Sequence, residues 1–389
     1  MKRIWMLILV VSLFLEVLRA QVIPPIKLTG YDPLPAFQKT RITAGRFAGA
    51  YTVAEDDARL NWYFANLGLL GFVDVIPTQV KTYMNLYLAN LNANFSINDV
   101  YFNIVSGRVD FNSFYYPVEY TNPDTKEKQY SDSDDSYAAT FLSLCARYYA
   151  VTGDKAWFNS VIPGKGITVL EALKKIANNN LIASQWPNGL THVFQSASVY
   201  PIAYTEDNAE AYRGLTDFAV LVNNLGDPTL GASYTKIANK IAYGIQTYMY
   251  VNNLKSGSTL LNMSGFYNTW ENKGNFNSVG DPLESPLTFY PDGVTQIFTE
   301  AYRVGIPSVF YNSGWNVLNK YFPNYTTYAY DEDPWLLIGL AAAYHGNSSL
   351  AQAMQAKTLN GYAAGKVIPI NNWGFYRRIS IYLQTGKAY

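Results

Sequence analysis

Asp132-Ser133-Asp134-Asp135-Ser136-Tyr137-Ala138-Ala139-Thr140-Phe141-Leu142-Ser143-Leu144 opens with three carboxylates in four residues and runs on as a strongly apolar helix. Ala138, Phe141, Leu142, Cys145, Tyr148 and Tyr149 fall at i, i+3, i+4, i+7, i+10 and i+11, the stripe of a helix that buries one face. Thr152-Gly153-Asp154 then ends it, with Gly at the left-handed position past the C-terminus and Asp as N-cap of the next helix. That next helix carries Glu171, Lys174 and Lys175, so one side of it faces water.

The same order of acidic opening, apolar helix, glycine break and more polar helix recurs along the chain. It starts at Glu206-Asp207 and breaks at Gly226-Asp227-Pro228. It starts again at Asp292 with a break at Gly305-Ile306-Pro307, and at Asp331-Glu332-Asp333 with a break at Gly346-Asn347. An earlier unit opens at Glu55-Asp56-Asp57 and resumes after Pro77. These are five helical hairpins, and the stretch from Trp373 to Leu383, paired with something near residues 35–50, supplies a sixth.

First helices such as Trp335 to Ala343 are apolar nearly all round, which requires burial on every side, whereas the second helices are amphipathic. Inner and outer members of six hairpins close into a double ring, so the expected fold is all-α, an (α/α)6 barrel. An open solenoid would need a nearly constant repeat length, and the openings at 56, 135, 207, 292 and 333 are too unevenly spaced for that. The unevenness comes from long connections at 101–120, 185–205 and 260–290, which alternate aromatic and polar residues like short β-hairpins or ordered loops. The expected organisation is a leader at 1–20, an extended Pro-rich segment at 21–45, and one toroidal catalytic domain at 46–389.

If all inner helices run the same way, their N-termini emerge at one mouth and the acidic clusters converge there. A single Asp or Glu at a helix start is also an ordinary N-cap. A cap needs one side chain, however, and Asp132, Asp134 and Asp135 are three. Carboxylates held together raise one another's proton affinity, as a general acid near neutral pH requires. Aromatic residues share the same end: Tyr204, Tyr290 and Tyr330 precede openings, Trp335 follows one, and Trp186 and Trp270 lie in the long connections. Tyr and Trp faces among carboxylates are a usual lining for pyranose rings.

Composition narrows the alternatives. Of 389 residues, 49% are apolar and 15% charged, which excludes intrinsic disorder. The 29 basic and 29 acidic side chains balance, and loss of the leader would leave 26 against 28, so the chain lacks the basic surface that nucleic acid demands. Two histidines, His192 and His345, make a His-built metal centre untenable, no Asp-x-Asp-x-Asp-Gly calcium loop occurs, and no cofactor is expected. Lys2 and Arg3, an apolar run of about a dozen residues and the small residue Ala20 read as a cleaved secretory leader. That run is short of the roughly 20 residues a membrane span needs. The expected location is secreted or periplasmic, without stable membrane insertion. Cys145, the sole cysteine, sits in an apolar pattern and reads as a core residue.

The chain resembles the six-hairpin glycosidase superfamily. The residues that carry the likeness are Asp132 to Leu142, the turn Thr152-Gly153-Asp154 with Trp157, and Glu206-Asp207-Asn208-Ala209-Glu210-Ala211-Tyr212-Arg213-Gly214-Leu215. The resemblance spans roughly residues 45 to 385. It implies an (α/α)6 barrel with its cleft where the inner helices begin, usually with an inverting pair of carboxylates.

The expected activity is a secreted glycoside hydrolase acting on an oligo- or polysaccharide, with Asp135 as base and Asp207 as acid. Asp132 and Glu206 are alternative catalytic candidates, with Asp292 and Asp333 in reserve. Expected substrate contacts are Trp186, Tyr204, Tyr212, Arg213, Trp270, Tyr290, Asp292, Asp333 and Trp335. A polysaccharide lyase using Tyr with His192 and Arg213, and a non-catalytic glycan-binding protein, are the rival readings.

Overall fold

A computed structural model describes residues 24–196, 202–253, 258–261, 264–267, 276–278 and 288–388. The expected leader and Trp270 lie outside the described residues.

A short helix α1 (Leu34–Gln38) precedes the first hairpin, α2 (Trp62–Leu70) and α3 (Pro77–Ala89). Next come α4 (Asp135–Thr152), the one-turn α5 (Lys155–Asn159) and α6 (Val169–Ala177). They are followed by α7 (Thr205–Leu225) with α8 (Pro228–Gly244), α9 (Val294–Ala301) with α10 (Ser308–Tyr321), α11 (Leu336–Tyr344) with α12 (Ser348–Ala363), and α13 (Ile370–Thr385). Helices α2, α4, α7, α9, α11 and α13 pack each on the next, and α13 packs back on α2, so the inner ring closes with six members. The fold is the expected all-α (α/α)6 toroid.

Residues of the first two turns meet residues of the first two turns around the ring, which fixes a common direction. Asn66 Nδ2 donates to Thr140 Oγ1 at 3.1 Å between α2 and α4. Thr295 Oγ1 donates to Glu206 between α9 and α7 at 2.8 Å. The backbone amide of Leu336 donates to Asn372 Oδ1 between α11 and α13 at 2.9 Å. All six inner N-termini therefore open at one end of the barrel.

The sixth inner helix is the least apolar of the ring, and small residues and a buried ion pair hold it. A Cβ on Gly374 would stand 2.5 Å from the carbonyl oxygens of Gly68 and Leu67, so only glycine lets α13 lie this close to α2. Arg377, 2% exposed, donates to Asp74 Oδ2 at 2.7 Å and to the carbonyl of Ile26, while Asp74 also accepts from the Ile26 amide. Helix α1 packs on α13 as well, which is the partner expected near residues 35–50.

The punctuation read from the sequence is physical. Gly153 has φ +63°, in the left-handed region, and Asp154 accepts from the Trp157 amide at 3.1 Å as N-cap of α5. Asp227 and Asn347 cap α8 and α12 in the same way. In α11 every residue from Leu336 to Ala343 is buried. Cys145 is buried, its Sγ 3.7 Å from Met84 Sδ.

The long connection before α4 supplies β2 (Val100–Val105) and β3 (Arg108–Tyr115), which form an antiparallel sheet with β1 (Arg59–Leu60), the strand just before α2. Residues 202–204 pair with residues 264–266 in a second small sheet.

Candidate active site

Asp154, Thr168, Asp227 and Asn347 cap α5, α6, α8 and α12 with their side chains, Asn61 caps the inner helix α2, and the outer helices α3 and α10 carry no side-chain cap. Among the inner helices α4, α7, α9, α11 and α13, no residue at the N-cap position uses its side chain to cap. Of the carboxylates that open α4 and α7, Asp135 accepts one first-turn amide, from Ser136, whereas Glu206 and Asp207 accept none among the described residues, so capping does not account for the set.

Asp135 is fully buried on the first turn of α4. Its Oδ1 accepts from Ser133 Oγ at 2.7 Å and from the Ser136 amide at 2.9 Å, and Oδ2 accepts from Thr191 Oγ1 at 2.6 Å. Those bonds favour the charged form, but burial outweighs them and the proton affinity is raised. Asp134, pushed up to about 6 by burial, accepts from the Gln195 amide at 3.0 Å and anchors the 191–196 loop rather than facing the mouth. Asp132 is exposed at the rim yet flanked by protein on most sides, and that loss of hydration raises it.

Glu206, Asp207 and Glu210 lie on the first two turns of α7, with Glu210 one turn below Glu206 on the same face. Glu206 accepts from Thr295 Oγ1 and from the Tyr290 hydroxyl, and burial still lifts it to about 7. Asp207 carries no hydrogen bond among the described residues. Burial raises it most, and after that Asp135, Glu210, Asp132 and Glu206, in that order. Thr191 bonds both Asp135 and Asn208, so two separate openings bring their carboxylates to one basin, where the charge of Asp135 adds to the raised proton affinity of Asp207.

Glu210 is 2% exposed and accepts from Tyr63 Oη at 2.7 Å, with the Tyr302 hydroxyl beside it. Burial, reinforced by Glu206 and Asp135, pushes it to about 8. Glu210 and Tyr302 border a cavity of about 240 Å³ that runs down the barrel between α2, α4 and α7. Glu210, Tyr63 and Thr191 are site residues that sequence reasoning passed over. Only Glu210 left a signal, its i, i+4 spacing from Glu206.

Tyr290 and Trp335 stack with ring centroids 4.6 Å apart and planes 27° from parallel, which joins the α9 and α11 openings into an aromatic wall. Tyr290 is 47% exposed, and its hydroxyl is held protonated first by the charge of Glu206. Tyr204 is half-buried against Val193, Phe194 and Ile202. Trp186 is buried against His192, whose proton affinity burial lowers to about 4.

Other expected contacts lie elsewhere or are occupied locally. Asp292 accepts from the Thr288 amide and hydroxyl. Asp333, raised to about 6 by burial, accepts from the Trp335 amide at 2.6 Å and from Asn372, and with Asp331 shapes the left-handed turn at Trp335. Glu55 and Asp57 form exposed ion pairs with Lys39 and Arg59. Tyr212 and Arg213 follow Asp207 by five and six residues, so the helix rise carries them about 8 Å down the barrel. There Tyr212 packs on Gly305, and Arg213 forms a two-bond pair with Asp217 at 2.5 and 3.0 Å.

No protein-family model matches the chain, and no curated protein sequence matches it. Solved structures do. A rhamnosidase from Klebsiella oxytoca with rhamnose bound superposes with a TM-score of 0.55 at 11% identity, over 95% of this chain and 67% of that one. A metal-independent alpha-mannosidase from Streptococcus pneumoniae gives 0.56 at 11% identity, over 90% and 92%. An alpha-amylase from Clostridium perfringens gives 0.55 at 11%, over 89% and 95%. These likenesses show the fold, an (α/α)6 toroid.

Proposed function

We propose that the protein is an exported glycoside hydrolase that cleaves an oligo- or polysaccharide by carboxylate acid/base catalysis with inversion. The observation that carries this reading is that Thr191 binds both Asp135 and Asn208, which brings the starts of two helices together so that, after burial, the charge of Asp135 raises the proton affinity of Asp207. Asp207, without a hydrogen bond and with four carboxylates around it, is suited to hold a proton and give it to the leaving glycosidic oxygen. Asp135, held by three donors, is suited to the charged state and accepts a proton from the attacking water. The Tyr290 and Trp335 faces offer a pyranose ring a stacking partner. The structural neighbours are named for rhamnose, mannose and starch substrates, so the fold supports glycan cleavage without selecting the sugar.

The lyase reading loses support at the same residues. A tyrosine base needs a lowered proton affinity, whereas burial and then Glu210 raise Tyr63 and Tyr302, and Glu206 and then burial raise Tyr290. An acidic mouth also repels a polyuronate.

Release of reducing ends from a polysaccharide panel, with the product anomer followed by NMR, tests the proposal. Asp135→Asn and Asp207→Asn should each lose at least a hundredfold in kcat while keeping the wild-type circular dichroism. Near wild-type turnover in both variants, or no hydrolysis by the wild type across the panel, would overturn it.

A further inference from the structure

Outside the carboxylate basin, the β1–β3 sheet carries a second group of residues with saccharide-binding chemistry. Tyr101 and Tyr115 are register partners on β2 and β3, with ring centroids 5.8 Å apart and planes tilted by 55°. Tyr115 is 51% exposed. On its other side Tyr101 pairs with Arg59 of β1, whose guanidinium is braced by Asp57 at 2.7 Å. Glu119, exposed four residues past the end of β3, feels the charges of Asp132 and Arg59.

These groups are continuous with the mouth. Asp132 is a charge neighbour of Asp207 on one side and of Glu119 on the other. After burial, Glu119 is the largest influence on the Tyr101 hydroxyl. Asp99, immediately before β2, accepts from Tyr137 Oη on the first turn of α4 at 2.8 Å, and β1 ends two residues before α2, so the sheet is joined directly to the mouth.

We propose that Tyr101, Tyr115, Arg59 and Glu119 form a binding platform for a neutral polysaccharide chain that continues into the carboxylate basin. The inference rests on the glycan-cleaving reading and adds that the substrate is a polymer several units long. The two rings present π-faces to the CH faces of successive pyranoses, while Arg59 donates to hydroxyls and Glu119 accepts from them. The polymer is neutral because Asp132, Glu119 and the basin would repel a polyanion.

Native electrophoresis in gels cast separately with galactomannan, arabinoxylan, yeast mannan, dextran and pullulan tests it. Wild type should be retarded by at least one, and Tyr101→Ala and Tyr115→Ala should bind that polymer about three- to tenfold more weakly, the range set by one lost aromatic contact. In steady-state assays the KM for that polymer should rise in the variants by a larger factor than the KM for a two-unit glycoside of the same sugar. Wild-type retardation of both variants, or no retardation of wild type in any gel, overturns the platform. So does a dimer in sedimentation that Tyr115→Ala dissociates, since the strip would then be a subunit contact. Asp135→Asn separates the two readings: full turnover in that variant sinks the catalytic assignment alone, and its retardation in the gel should stay at the wild-type level.

Discussion

Thr191 Oγ1 donates to Asp135 Oδ2 at 2.6 Å across 56 positions of sequence, and the backbone amide of Thr191 donates to Asn208 Oδ1 at 2.8 Å. One loop residue thus ties the start of α4 to the start of α7, the two helices that supply the carboxylates. Thr191→Val removes a bond made to the charged form of Asp135, so its proton affinity rises further. The acidic limb of the kcat/KM profile should move to higher pH by about one unit, with activity at pH 5 reduced roughly tenfold. A profile superimposable on wild type would remove Asp135 from the role of base.

Glu210 makes the fold sensitive to alkali. Its folded value of about 8 lies above the ordinary 4.5, so the folded state binds more protons than the unfolded one between those values. Stability is therefore fully present below about pH 4.5 as far as this group is concerned, and falls as pH rises through 8. Glu210→Gln, which keeps the bond from Tyr63 without a charge, should be more stable than wild type at pH 9 by on the order of 1–3 kcal/mol and similar at pH 4.5. Urea denaturation at the two pH values measures the difference, and equal gains at both would contradict it.

The stack of Tyr290 on Trp335 and the bond from the Tyr290 hydroxyl to Glu206 are separable. Trp335→Ala should raise KM about tenfold by removing a ring face. Tyr290→Phe leaves the ring but withdraws a donor from Glu206, which raises the Glu206 proton affinity. Its effect should appear in the pH profile rather than in KM at the optimum. Steady-state kinetics from pH 4 to 9 on both variants distinguish the two outcomes.

Ring closure depends on the absence of a side chain. Gly374→Val would place carbon atoms inside contact distance of the Gly68 and Leu67 carbonyls, forcing α13 away from α2. A loss of about 3 kcal/mol or more in unfolding free energy is expected, on the scale of overpacking a tight core. A variant within 0.5 kcal/mol by urea titration, roughly the scatter of a neutral surface change, would show that the helices separate freely.

The buried pair of Arg377 and Asp74 predicts an asymmetry. Asp74→Asn leaves a guanidinium 2% exposed without its counter-charge, and should cost about 3–5 kcal/mol. The double variant Arg377→Met with Asp74→Leu should recover most of that loss. A thermal melt series of the three proteins tests it, and failure of the double change to recover would mean that the pair orients α13 and does more than satisfy itself.

Helix position, inner or outer character and most hairpin breaks were legible in the sequence because local chemistry decides them. Gly153 and Asp154 act through bonds three or four residues away, and α11 must be buried because it has no polar face. Trp186, Tyr212 and Arg213 were expected in the cleft because their residue types suit a sugar. The structure buries Trp186 against His192 and carries the other two down α7, since the helical rise and not the residue type sets depth.

Helix α13 was the weakest part of the sequence reading, since its anchors, Gly68, Asp74 and Ile26, lie some 300 positions upstream and impose no periodicity on it. The sequence alone determined that carboxylates cluster at helix starts, because a run of Asp and Glu before an apolar helix is a local pattern. Which clusters share a basin was decided by tertiary structure. The openings at 135 and 207 meet because α4 and α7 are neighbours in a closed ring, whereas those at 55 and 333 are spent on ion pairs and a turn. Proton affinity in the basin follows from burial and mutual repulsion, and both exist only once distant segments have been brought together.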